Sequence, residues 1–335
     1  MTKVAIIGAG TWAVALALVL HKNGHQVTVW SALADEIENL SREREHPALS
    51  GVEIAAEIGF TTSLTDAVNE TDLIVLAVAS PYVRRTARGL ALPLESRHAA
   101  PSMPIIVNVA KGIEETSLLT MSQVIEDEIR GANVAVLSGP SHAEEVARAI
   151  PTTIVAGAGD QASAEYVQDI FMNEVFRVYT NADVMGIELG AALKNVVALA
   201  AGIIDGLGYG DNSKAALITR GIAEIARLGT AMGCRAETFY GLSGIGDLIV
   251  TCASVHSRNR RAGILIGQGR SMGEAMAEVR AVVEGVHSAK AALALARRHG
   301  IDMPIIEQVN AILFDGKDAA AAVRELMIRD RKEEK

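Results

Sequence analysis

Apolar positions in the first half of the chain fall into short runs separated by longer, helix-periodic stretches. Residues 4–7 form a β-branched apolar run that reads as a buried strand. Residues 11–22 read as a helix that stops at Asn23-Gly24, a pair suited to a left-handed exit. Residues 26–30 give a second strand. Further apolar strands bounded by turn residues are predicted at 72–78, 104–110, 133–137, 152–156 and 175–179. Helical stretches such as 117–130 lie between them. Apolar strands alternating with helices predict a parallel sheet covered on both faces.

The pattern changes near Asn181. Residues 184–231 are apolar, Ala-rich and Gly-spaced, without strand punctuation, and 221–232 carry helical periodicity. After Arg258 the chain again reads as helices and ends in a charged tail, 329–335. The expected organisation is an α/β domain over 1–180 and an all-α domain over 181–335.

The apolar run over 4–20 resembles a signal peptide. Gly8 and Gly10 cut it into a strand-like and a helical piece, however, and it ends in His21-Lys22-Asn23-Gly24 rather than a small-residue cleavage site. No run reaches the ~20 uninterrupted apolar residues of a membrane helix, so no membrane insertion is expected.

The chain has 335 residues, enough for two cores, and half of them are apolar. Aromatic residues are scarce, so Ala, Val, Ile and Leu must fill the interior. The net charge of -9 argues against a nucleic-acid surface but leaves room for a local basic pocket. The two cysteines, Cys234 and Cys252, have no metal-ligand spacing and form no disulfide framework, which suits reduced thiols in the cytoplasm.

The chemistry begins at Gly8-Ala9-Gly10-Thr11-Trp12-Ala13, a G-x-G-x-x-A motif between the first strand and the first helix. Gly8 permits the tight turn, Gly10 lets a pyrophosphate approach the backbone, and Ala13 allows close helix–strand packing. Free amides at the helix start then face the anion. A structural glycine turn is the alternative, but the strand–turn–helix–strand context favours a dinucleotide. After the second strand stands Trp30-Ser31-Ala32-Leu33, with neither the acid expected for NAD nor an arginine for NADP. Arg42 and Arg44 are candidates for a 2′-phosphate, although a solvated helix face explains them equally well. Weak discrimination between the two cofactors is expected.

Four further segments place polar groups in apolar surroundings. Lys111-Gly112 follows a strand, at the carboxyl end where open α/β sheets bind ligands. Ser138-Gly139-Pro140-Ser141-His142-Ala143 also follows a strand and offers a hydroxyl and amides, though a capped turn would look the same. Lys194-Asn195 lies in the Ala/Val/Leu-rich stretch 190–201, where a lysine must snorkel to water or find a partner. Asp247, in Gly244-Ile245-Gly246-Asp247-Leu248, is the candidate partner. Ser257-Arg258-Asn259-Arg260-Arg261 is the densest cationic cluster and opens a helix, an arrangement suited to a phosphate dianion or to a plain solvated patch.

Together with Ala110-Lys111-Gly112, Leu193-Lys194-Asn195-Val196, the segment 212–221 and Val282-Val283-Glu284-Gly285, these segments resemble the bacterial NAD(P)-dependent glycerol-3-phosphate dehydrogenase family over residues 4 to about 317. The resemblance implies a Rossmann domain followed by a helical domain, with NAD(P)H as cofactor. It implies that dihydroxyacetone phosphate is reduced to sn-glycerol 3-phosphate for phospholipid synthesis, in the cytoplasm. Lys194 would be the catalytic acid/base, with Asp247 orienting it and Lys111 adding positive potential. Lys111, Gly139, Ser141, Lys194, Asp247, Ser257, Arg258 and Asn259 would hold the small phosphorylated three-carbon substrate. Gly8, Gly10, Thr11, Trp12, Ala13, Lys111, Ala143, Arg258, Val282 and Glu284 would reach the cofactor. No metal is implied. A homodimer is the expected assembly, though no residue pattern specifies it. The chain departs from the family at Ala32 and Leu33, at Glu45-His46-Pro47 and at Ala79, mostly on the adenosine side. A β-hydroxyacid or 6-phosphogluconate-type dehydrogenase is a second enzymatic reading, and a non-catalytic dinucleotide sensor a third.

Overall fold

The computed structural model describes residues 1–96, 103–331 and 333; of the charged tail, positions 332, 334 and 335 lie outside the described residues. The chain clusters into two compact units, one of residues 1–114 and 119–188, the other of residues 115–118 and 189–335.

The first unit is an eight-stranded sheet: β1 (Lys3–Ile7), β2 (Gln26–Trp30), β3 (Gly59–Thr61), β4 (Leu73–Leu76), β5 (Ile105–Asn108), β6 (Asn133–Ser138), β7 (Thr152–Ala158) and β8 (Phe176–Asn181). Their spatial order is β3-β2-β1-β4-β5-β6-β7-β8. The helices between them are α1 (Thr11–Lys22), α2 (Ala34–Glu43), α3 (Leu64–Val68), α4 (Val83–Glu95), α5 (Met121–Glu128), α6 (Ala143–Val146) and α7 (Gln161–Phe171). Strand alternation divides the core into two layers. Val4, Ile6, Val27, Val29, Leu73 and Val75 pack on one face with α1 and α7. Ala5, Ile7, Trp30, Ile74 and Leu76 pack on the other with α3, α4 and α5. Both faces are dry, so the central strands are continuous apolar runs rather than alternating ones.

Two features differ from the sequence expectation. Strand β3 has only three residues, none fully buried, so no apolar run marks it. The sheet is not wholly parallel, because β6 and β7 pair antiparallel, with Ala135 opposite Ala158. Residues 139–151 between them contain only the four-residue α6. A parallel return usually runs through a full crossover helix, which this connection lacks.

The remaining elements are all helices: α8 (Val184–Gly206), α9 (Asp211–Ala231), α10 (Ala236–Phe239), α11 (Asp247–Ala253), α12 (Arg258–Gly267), α13 (Met272–Val279), α14 (Glu284–His299), α15 (Pro304–Phe314) and α16 (Ala319–Met327). Helix α8 is by itself long and apolar enough to cross a membrane, but its most apolar window is wholly buried in the fold. Counting uninterrupted apolar residues does not find it, because Glu188 and Lys194 break the run.

Glycines set the helix packing of the second unit. A Cβ on Gly202 or Gly206 of α8 would run into the backbone carbonyls of Arg260 or Ile264 on α12. Reciprocally, a Cβ on Gly263 or Gly267 would strike those of Leu199 or Ile203. The two helices therefore touch backbone to backbone over a turn of small residues on each side.

Candidate active site

The glycine loop lies at the point where strand order reverses, since β1 is flanked by β2 and β4. Open α/β sheets bind ligands at the carboxyl ends of strands at such a point. Gly8 has φ +128°, and a Cβ there would lie 2.7 Å from the Ala77 carbonyl oxygen at the end of β4. Only glycine fits. Gly10 is the N-cap of α1, and a Cβ there would meet nothing within 4 Å. Its bareness matters for whatever approaches from outside rather than for packing within. Ala13 is fully buried beneath. The first amides of α1 precede the Val14 N–H to Gly10 carbonyl bond and have no partner within the helix. This cradle fits a pyrophosphate.

Around the other strand ends of the first unit, Lys111 and the loop after β6 come together. The Lys111 ammonium donates to the Gly139 carbonyl at 3.1 Å, and so does the Ser141 hydroxyl. Gly139 has φ +148°, and a Cβ there would lie 3.1 Å from Ile154. Ala143 is buried at the start of α6, a single turn too short to act as a dipole of consequence.

Sequence reasoning missed what holds the Lys111 segment. The Asn108 side chain accepts from Ala110 N at 3.0 Å and donates to the buried Glu188 carboxylate at 2.9 Å. Glu188 also accepts from the backbone and hydroxyl of Ser122. Burial pushes its pKa up, and these hydrogen bonds partly counter that. The available signal was one acid in an apolar helix.

In the second unit, Lys194 does not snorkel. It is 5% exposed, and its ammonium lies 2.6 Å from Asp247 Oδ1 and 2.6 Å from Thr251 Oγ1. Thr251, one turn beyond Asp247 on α11, donates in turn to the Asp247 carbonyl at 2.6 Å. No pattern in the sequence marked Thr251 out. The backbone reason for this triad is a glycine contact. Gly190 lies one turn before Lys194, on the same face of α8, and a Cβ there would come within 2.9 Å of the Ser243 carbonyl oxygen. The expected Gly-rich turn before Asp247 is a π-helical turn, residues 242–246, a rare geometry that recurs at functional sites.

The basic cluster separates on folding. Ser257 is the N-cap of α12, and its hydroxyl accepts from Arg260 N at 3.2 Å. Arg260 turns to Asp205 on α8 at 2.7 Å, and Lys214 meets the same carboxylate at 2.6 Å. Arg258 and Arg261 are exposed. The buried Asn259 side chain donates to Asn195 Oδ1 at 2.9 Å and accepts from Gly285 N at 2.8 Å. It ties the residue after Lys194 to the start of α14, where Glu284 is the first residue and Val282 lies just before the cap.

Comparison with known proteins places this geometry in context. The model for the NAD-dependent glycerol-3-phosphate dehydrogenase N-terminus matches residues 3–164, and that for the C-terminus matches 183–324. The chain is 60% identical over 333 residues to a glycerol-3-phosphate dehydrogenase [NAD(P)+] of Agathobacter rectalis, covering 99% of this chain and 97% of that protein. It is 49% identical to the one of Bacillus subtilis, covering 100% and 96%. Among solved structures, a glycerol-3-phosphate dehydrogenase from Coxiella burnetii superposes with a TM-score of 0.92 at 34% identity, covering 98% and 99%. A D-mandelate dehydrogenase, at 15% identity and a TM-score of 0.64, shares the fold alone.

Proposed function

Since this chain belongs to the NAD-dependent glycerol-3-phosphate dehydrogenase family, we propose that it reduces dihydroxyacetone phosphate to sn-glycerol 3-phosphate with NAD(P)H, supplying glycerophospholipid synthesis. The observation that carries this reading is Lys194, an ammonium buried in an apolar helix and held by Asp247 and Thr251. Isolated burial of such a charge is costly, and its retention here suits a group that must meet a developing oxyanion.

NAD(P)H supplies the hydride to C2 of the ketone when bound. Lys194 polarises the C2 oxygen and gives it a proton, and such assistance is worth roughly 10²–10⁴-fold. Asp247 and Thr251 fix the amine's direction. Lys111 adds positive potential, and Gly139 and Ser141 shape the substrate loop. Arg258, at the start of α12, takes the phosphate, with the Ser257 cap and Asn259 setting that helix start in place. Gly8, Gly10, Thr11, Trp12 and Ala13 cradle the dinucleotide, and Ala143, Val282 and Glu284 complete its site. The dinucleotide domain is taken as 1–180 and the helical substrate domain as 181–335.

The enzyme is placed in the cytoplasm as a homodimer. Two buried cysteines that are not joined in a disulfide suit the first statement, and light scattering on the purified protein tests the second. The activity is tested by absorbance at the NADH band with and without dihydroxyacetone phosphate. Cofactor oxidation that requires this substrate is the expected result. Oxidation driven instead by a β-hydroxyacid's keto form, or none with any substrate, would overturn the proposal.

A further inference from the structure

The end of β2 carries an acid that the local sequence conceals. Ser31, directly after β2, is 6% exposed. Its hydroxyl donates to Glu36 Oε2 at 2.5 Å and accepts from Leu33 N at 3.2 Å. Glu36 belongs to the first turn of α2, and its bond to Ser31 keeps the carboxylate within hydrogen-bond reach of the residue directly after β2. The same strand end is bonded to the glycine loop, because Gly8 N donates to the Trp30 carbonyl at 2.8 Å. Trp30 is held from the other side by its indole, which donates to the Thr62 carbonyl at 2.9 Å.

The two nearby arginines are committed elsewhere. Arg42 sits at the far end of α2, bonded to Asn39 and Glu43 and paired with Glu38. Arg44 donates to the Ala55 and Ile58 carbonyls and lies 5.2 Å over the Phe60 ring. Burial holds the His46 pKa below the ordinary value, against the raising effect of the Glu36 charge, so burial works against a cation there. Asp35, also in the first turn of α2, adds a second negative charge.

In this fold the end of the second strand faces the adenosine ribose, where an acid accepts from a free 2′-hydroxyl and a cation accommodates a 2′-phosphate. We infer that Glu36, positioned by Ser31, is the residue that sets cofactor choice, and that it favours the dinucleotide without a 2′-phosphate. Glu36 acts by accepting the ribose hydroxyl and by repelling a phosphate dianion that no nearby arginine is free to neutralise. The inference rests on the proposal that the glycine loop binds NAD(P)H.

Binding, not turnover, tests it. The full chain is titrated with NADH and with NADPH, following tryptophan fluorescence, since Trp12 lies in the first turn of α1 at the cradle and Trp30 ends β2. NADPH is expected to bind at least about tenfold more weakly than NADH. In Glu36→Gln that ratio is expected to fall at least about fivefold, chiefly through tighter NADPH binding. Arg42→Ala is expected to leave the ratio unchanged. Equal binding of the two cofactors by the natural chain, a preference for NADPH, an unchanged ratio in Glu36→Gln, or a selective loss of NADPH binding in Arg42→Ala would each overturn the inference while leaving the dinucleotide site standing. Failure of both cofactors to bind would overturn the site as well.

Discussion

At the scale of single residues, the chemistry turns on one buried amine. Lys194→Ala is expected to lower kcat by at least ~10²-fold while NADH binding, measured by fluorescence, survives. Because the substitution leaves Asp247 buried without its cation, a loss of stability is expected too, so a thermal melt accompanies the kinetics. Near-normal turnover in a folded variant would remove Lys194 from its role. Arg258→Ala is expected to raise KM for dihydroxyacetone phosphate more than it lowers kcat, and an unchanged KM would count against phosphate binding there. Cys252 lies on the helix that presents Asp247, and burial pushes its thiol up to about 12. A thiol-reactive probe is therefore expected to leave Cys252 unmodified in the native protein.

At the scale of elements, close approach between helices places the groups. Helix α8 carries Lys194, α11 carries Asp247 and Thr251, and α12 begins at Arg258. The glycine contacts between α8 and α12 hold two of these helices at backbone distance. Gly263→Ala is expected to cost roughly 1–3 kcal/mol by overpacking and to lower kcat/KM by displacing the start of α12. A denaturant titration that matches the natural protein would show that the contact can give. Helix α15 has a different dependence. Its first amides, at Ile305 and Ile306, donate to the buried Glu224 carboxylate of α9. Burial raises the Glu224 pKa to about 7 from the usual 4.5, and the backbone hydrogen bonds only partly oppose this. A carboxyl raised in the fold binds its proton more tightly there than in the unfolded chain. Its contribution is fully present below about pH 4.5 and is lost as pH rises towards about 7. That contribution amounts to roughly 3 kcal/mol. Glu224→Gln is expected to flatten the fall in stability over this range, read as denaturation midpoints at several pH values. An unchanged slope would show that other groups cause it.

At the scale of the whole molecule, the dinucleotide cradle belongs to the first unit and the amine to the second. Saturation with cofactor is expected to stabilise the native state by about 2.7 kcal/mol at a hundredfold excess over Kd, with a matching rise in melting temperature. A melt indifferent to NADH would contradict the cradle reading. Most of the α/β layout was legible in the chain, because buried strands announce themselves as apolar runs and the β1–α1–β2 segment has its strand, glycine loop and helix in immediate succession. Strand β3 was not legible, being three half-buried residues. The Lys111 and Lys194 segments could be picked out as polar groups in apolar surroundings, whereas Asn108, Glu188 and Thr251 could not be assigned partners from their own neighbourhoods.

Short-range pattern alone determined most of the strands and the long helices, where the glycine loop must turn, and that a lysine in an apolar helix needs a partner. These follow from burial periodicity and backbone sterics, which act over a few residues. The tertiary structure decided the antiparallel β6–β7 pair, the meeting of Lys194 with Asp247 across 53 residues and the dispersal of the arginine cluster. Each depends on which separate elements the fold brings within reach of one another, and at Lys194 and at the α8–α12 contact glycines set how closely the backbones approach.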